Sequence, residues 1–231
     1  MLRRLSLALS FLVATAWPLT APAADLNPLE MRWLQGIAPV VVHARQVLSL
    51  PLDVVVQPQD ASGMAPLALG FVEGRCKLVL STRGNAEAQR QLDALDPALV
   101  GPALELMAAH ELGHCVRYLD GAWHGMPAGF VAARAPASLS PALQQAWLDM
   151  RSTRREEAFG DLVGLAWTRE RHPELYARLH AWLVAERSAE GLPGSHHDTL
   201  DWLRLAATPA VLAGPSLFEA AERAWRAGLK D

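Results

Sequence analysis

His110, Glu111 and His114 stand in the order His-Glu-Leu-Gly-His, within a stretch whose apolar residues recur at helical spacing. No other feature constrains the fold of this chain as much. Residues four apart on an α-helix differ by about 40° around its axis, so both imidazoles leave one face. Two neutral imidazole nitrogens side by side suit a tetrahedral zinc ion. Glu111 is offset by one residue, so it can lie beside such an ion rather than on it. There a carboxylate can take a proton from an attacking water. Two histidines do not complete a catalytic zinc site, which needs a third protein ligand and one open position. The fold must therefore bring a second element to the histidine helix at this point.

Three residues can supply that ligand. Asp120 lies ten residues after His110, where metzincin-like enzymes place theirs after a glycine turn, but the turn position here is Arg117, which would not readily make the reversal. His124 sits in the same loop. Glu157 belongs to Arg155-Glu156-Glu157-Ala158-Phe159-Gly160-Asp161 and is the favoured choice, with Glu156 replacing it if the register is off by one. Glu157 and Asp161 are four apart and share a helix face, so Glu157 can bind the metal while Asp161 holds a histidine ring. A solvated acidic face is the plainer alternative. Against it, Ala158, Phe159, Leu162, Val163, Leu165 and Ala166 make the helix strongly apolar, and acids on a buried helix need a reason.

His-Glu-Leu-Gly-His followed by Glu-x-x-x-Asp on a later helix resembles the gluzincin metallopeptidases. The second segment looks most like the Arg-Glu-x-x-Ala-Asp segment of the HtpX-like and CAAX-prenyl-peptidase family, with Gly160 where that family usually has alanine. The resemblance covers roughly residues 65–205. It implies a zincin-like α+β fold, a Zn2+ cofactor and hydrolysis of peptide bonds. His110, His114 and Glu157 would bind the metal, Glu111 would be the general base, and Asp161 would orient a ligand. In gluzincins a histidine, tyrosine or arginine from the C-terminal side usually stabilises the oxyanion. His197 matches that role, with Asp198 or another acid setting its tautomer. His196 is an equal candidate, and Arg204 is a candidate partner. The plainer alternative is a helix N-terminus capped by Asp198 or Thr199.

The rest of the chain frames this site. Residues 1–23 read as a secretory signal peptide: a basic start, a thirteen-residue apolar run, a break at Pro18 and Ala21-Pro22-Ala23. The run is short of the roughly 20 residues that span a bilayer. The expectation is one domain over 24–231, periplasmic or secreted, with no integral membrane segment after cleavage. Loss of Arg3 and Arg4 moves the net charge from −3 to −5, and no basic patch points to nucleic acid.

Apolar periodicity and turn residues predict a helix over 28–50 with Pro39 as a kink or break, then strands over 52–56, 67–72 and 76–81. After Gly84-Asn85, helices are expected over 86–95, 97–119, 141–150, 153–171, 173–188, 198–206 and 215–229. This is an α+β order: a helix and a small mixed sheet over 24–96, then a helical half over 97–231 with the histidine helix at the cleft. The strand over 76–81 is read as an edge open to an extended peptide.

Cys76 opens that strand and Cys115 follows His114. In an exported chain these two are expected to form a disulfide. The alternative, Cys115 as a zinc thiolate, is disfavoured because its side chain turns about 100° from that of His114. Trp123, in the loop after the histidine helix, is the tryptophan placed to border the cleft. The reading is an exported zinc metallopeptidase acting on a peptide or protein substrate. Its alternatives are a non-catalytic zincin-like adaptor of the cell envelope, or a zinc hydrolase of another amide such as cell-wall peptide.

Overall fold

The computed structural model describes residues 25–59, 63–189 and 194–229. The expected signal segment lies outside the described residues. The first element, α1 (Pro28–Val42), starts on a reciprocal cap: the Asn27 side chain accepts from the Glu30 N–H, and Glu30 accepts from the Asn27 N–H. It passes through Pro39 and loosens into a π-helical turn, His43–Val47, rather than running as a regular helix to residue 50. Three strands follow: β1 (Leu52–Pro58), β2 (Leu67–Val72) and β3 (Arg75–Arg83). The tight connection between β2 and β3 has Glu73 and Gly74 at φ 52° and 73°, the left-handed pair that a two-residue hairpin turn requires.

The sheet order is β1-β3-β2, with β1 parallel and β2 antiparallel to β3. This corrects the expectation that residues 76–81 form an edge. Leu52 to Val56 pair along one side of β3 and Leu67 to Val72 along the other, so both rows of its backbone groups are used. The exposed edge next to the histidine helix belongs to β2.

The helical half comprises α2 (Ala86–Ala94), α3 (Val100–Leu119), α4 (Pro141–Arg171), α5 (Tyr176–Ala189), α6 (Leu200–Leu205) and α7 (Leu217–Gly228). The two helices expected over 141–150 and 153–171 are one helix, α4, of 31 residues. The break expected near Ser152 is absent because its hydroxyl bonds back to the carbonyls of Leu148 and Asp149 instead of capping a new helix. The molecule is thus a mixed α+β structure whose small sheet packs on one side of α3 while α4 crosses the other. Among the described residues no helix is long and apolar enough to cross a membrane.

The core is continuous from Trp33 and Ile37 of α1, through Leu78 and Leu80 of β3 and Leu104 and Leu112 of α3, to Leu162 of α4 and Trp225 of α7. Within it, Cys76 and Cys115 form a disulfide that bolts β3 to α3. Closing a loop of 39 residues is worth about 4 kcal/mol on the chain-entropy estimate. Where α3 and α4 cross, glycines let the two helices approach closely, tightly on α3 and with no room for a side chain on α4. A Cβ on Gly113 would meet the Gly160 Cα at 3.3 Å, and one on Gly164 would lie 2.8 Å from the Leu106 carbonyl oxygen.

Candidate metal centre

The crossing of α3 and α4 assembles the site. His110 and His114 leave α3 on one face, as their spacing requires, and both are buried. Their Nε2 atoms stand 2.9 Å apart. From α4, Glu157 places one oxygen 3.3 Å from His110 Nε2 and the other 3.5 Å from His114 Nε2. These three side chains each offer an atom to a common point, the ligand atoms all lying within 4.8 Å of one another.

Behind them, Asp161 Oδ1 lies 3.0 Å from His110 Nδ1. Asp161 is fully buried and carries further partners. Arg187 of α5 donates to both of its oxygens, at 2.9 and 2.6 Å, and the Thr199 hydroxyl donates to Oδ2 at 2.6 Å. An ionised carboxylate only accepts, so the proton of a neutral His110 sits on Nδ1 and the lone pair of Nε2 faces Glu157 and His114.

The electrostatics favour positive charge at this point. Burial alone would lower the pKa of His110, but the hydrogen bonds to Asp161 and Glu157 outweigh it and raise it to about 10. Burial would raise Glu157, but its bonds to His110 and His114 hold it well below the usual carboxylate range. Burial would likewise raise Asp161, and the charge of Arg187 with the His110 bond lowers it instead. Two carboxylates thus confront two imidazoles whose Nε2 atoms point at each other. A cation at the shared point satisfies both nitrogens and Glu157 together, so the donor set fits a metal ion, and its two nitrogens and one oxygen suit a borderline-soft divalent one.

Glu111 lines the same cleft, and burial raises its pKa. The cleft has a volume of about 370 Å³. One wall is β2, through Leu67, Ala68 and Leu69, and the rim near His114 is Tyr118 and Trp123. His197 enters from the loop before α6, its Nε2 lying 3.5 Å from Glu157 Oε2. His196 meets the His197 ring at 4.0 Å between centroids, tilted by 56°, and does not line the cleft.

Other expected participants point elsewhere. Asp120 is the exposed residue closing α3, outside the ligand group, and the glycine in left-handed conformation there is Gly121. The His124 ring stacks on Trp123. Glu156 is buried against Arg117. Asp198, expected to set the His197 tautomer, accepts from the Gly194 N–H and pairs with Arg154. Arg204 pairs with Asp201 on the surface. Thr199 precedes α6 without a side-chain cap hydrogen bond, and its hydroxyl donates to Asp161 instead.

Nothing in the sequence marks Arg187 as part of the site. A basic residue in the last turn of a helix is favoured by the helix dipole in any case, so its type and place carry no signal. Gly160, by contrast, has a physical reason. A Cβ there would lie 2.8 Å from the Cε1 and Nδ1 atoms of His110, so the imidazole packs flat on a surface only glycine provides. Compared with models of known protein families, with curated proteins and with solved structures, the chain matches none.

Proposed function

We propose that this chain is an exported zinc-dependent metallopeptidase of the gluzincin kind, with a zincin-like fold; it resembles the HtpX-like and CAAX-prenyl-peptidase family, but among the described residues no helix is long and apolar enough to cross a membrane. The observation that carries the reading is the convergence of His110 Nε2, His114 Nε2 and a Glu157 oxygen in a cleft that Glu111 also lines. His110, His114 and Glu157 would hold the zinc. When bound, zinc supplies Lewis acidity, lowering the pKa of water and polarising a peptide carbonyl.

The remaining chemistry belongs to the side chains. Glu111 takes the proton of the attacking water and returns it to the leaving amine, and burial raises its pKa above the ordinary glutamate value. His197, beside Glu157, donates an N–H to the oxygen that becomes negative as water adds. Asp161 fixes the His110 tautomer, and Arg187 and Thr199 fix Asp161. The open edge of β2 offers backbone groups to an extended peptide or protein substrate. A periplasmic or secreted location is supported by the Cys76–Cys115 disulfide, which persists in oxidising compartments.

The test is Glu111→Gln. Zinc should remain near one ion per chain while cleavage of a peptide library falls by roughly a thousandfold or more, as expected when the proton acceptor is lost. Unchanged cleavage would overturn the mechanism. Zinc retention with no cleavage by the unmodified protein would favour the adaptor reading.

A further inference from the structure

The rim of the cleft beside His114 is an aromatic wall. Trp123 stacks on Tyr118 with ring centroids 4.0 Å apart, and Tyr118 stacks on Phe71 of β2 at 5.0 Å. Trp123 also meets the His114 ring at 5.4 Å, nearly at right angles. The loop carrying it, residues 121–125, belongs to no helix or strand. His124 within it sits at φ 60°, in the left-handed region that few residues other than glycine adopt. Some other contact must hold this loop in place.

Arg117 of α3 and Glu156 of α4 provide that contact. Both are buried, at 7% and 1% exposure. Arg117 donates through Nε and Nη2 to the two Glu156 oxygens, at 2.9 and 2.8 Å. Nη2 also donates to the Gly125 carbonyl at 3.1 Å, and Glu156 Oε1 accepts from the His124 N–H at 2.8 Å. The guanidinium lies over the rings of Trp225 and Phe159, with its carbon 4.7 and 5.4 Å from their centroids. A buried ion pair is rarely the most stabilising filling for its volume. Two further hydrogen bonds of this pair go to the backbone of the two residues directly after Trp123.

We infer that the buried Arg117–Glu156 pair is a positioning device holding the 121–125 loop, so that Trp123 forms the wall of the cleft that selects a large apolar side chain of the substrate. This rests on the peptidase reading above. Away from the ligand group, the lining is more apolar than polar: Leu67, Leu69, Leu106, Met107 and Leu183 join Trp123, with Gln91 and Thr153 among them. A charged substrate side chain would lose its hydration against these groups, whereas a large apolar one gains contact. Trp123 touches the substrate, and Arg117 and Glu156 act through it.

The test compares four zinc-loaded full-length proteins: the unmodified chain, Trp123→Ala, the double variant Arg117→Met/Glu156→Met, and the combination of all three changes. Apolar replacement of both charges avoids stranding either one, so the double variant should fold. For a fluorogenic peptide with phenylalanine beside the cleaved bond, KM should rise about tenfold in Trp123→Ala and in the double variant, with kcat changed less than about threefold. The combination should be no worse than either, because one wall is lost only once. For the matched peptide with alanine at that position, KM should stay within about twofold in all four proteins. A fifth protein, Glu156→Gln, keeps an acceptor for the His124 N–H and should retain the preference.

Hydrogen exchange of the His124 amide reads the loop without any turnover, and should be at least about tenfold faster in the double variant. A lowered thermal midpoint with KM and exchange unchanged would overturn the positioning role. Effects of Trp123→Ala and the double variant that multiply would overturn the shared wall. If the unmodified protein cleaves neither peptide, the peptidase reading and the substrate preference fail together, and the exchange result still decides the positioning.

Discussion

Asp161 Oδ1 lies 3.0 Å from His110 Nδ1, and this contact determines which nitrogen of the ring is left for a cation. Because Asp161 is itself gripped by Arg187 and Thr199, the ring orientation of one residue on α3 is set by groups from α4, α5 and the loop before α6. Asp161→Asn should therefore weaken zinc binding by about 10- to 100-fold without removing a ligand. Competition against a chelator of known affinity measures this, and an unchanged affinity would contradict the role.

The third ligand is decided by stoichiometry. Glu157→Ala should bring bound zinc well below one ion per chain, because two histidines alone leave the donor set incomplete. Asp120→Ala should leave it unchanged, since Asp120 lies outside the ligand group. Metal analysis after extensive dialysis separates the two, and loss of zinc in Asp120→Ala alone would reverse the assignment.

Gly160→Ala makes a steric prediction. The new Cβ would fall 2.8 Å from the His110 ring, so either the imidazole turns or α4 moves away from α3. Overpacking of this kind costs about 1–3 kcal/mol. Urea unfolding of the metal-free protein should show that loss, and zinc titration should show weaker binding as well. A stability loss with unchanged zinc affinity would mean that α4 yields and the ring does not.

Acid sensitivity has a component far from the cleft. Glu30 is buried at the start of α1 and its pKa is lowered from 4.5, first by hydrogen bonding from Arg83, against a smaller opposing effect of burial. Its folded pKa is below its unfolded one, so its contribution is present in full above about pH 4.5 and is lost as pH falls through the lowered folded value. Glu30→Gln should be less stable than the unmodified protein near pH 7, and the gap should close as the pH drops below 4.5. Unfolding free energies across pH 3 to 7 test this, and a gap that widens on acidification would contradict it.

What could be read from the sequence follows from how local each signal is. His110 and His114 are legible because four residues of helix decide their common face. The pairing of Glu157 with Asp161 is legible because acids set among Ala158, Phe159, Leu162 and Val163 call for partners. The central position of β3 is not legible, since Leu78 and Leu80 read alike on a buried edge strand or a middle strand, and only the neighbours tell them apart. The continuity of α4 was hidden by Ser152, a residue equally suited to capping a helix or to bonding back within one. Arg187 lies 26 residues from Asp161, and the packing of α5 that brings them together leaves no trace around either residue.

The disulfide has a mechanical consequence. β2 is laced to β3 by its hydrogen-bond ladder, and β3 is bolted through Cys76 to the residue after His114. The sheet wall and the histidine helix therefore behave as a single jaw of set gape. Any widening of the cleft to admit or release a chain therefore falls to what lies outside this unit, such as the segment carrying His197.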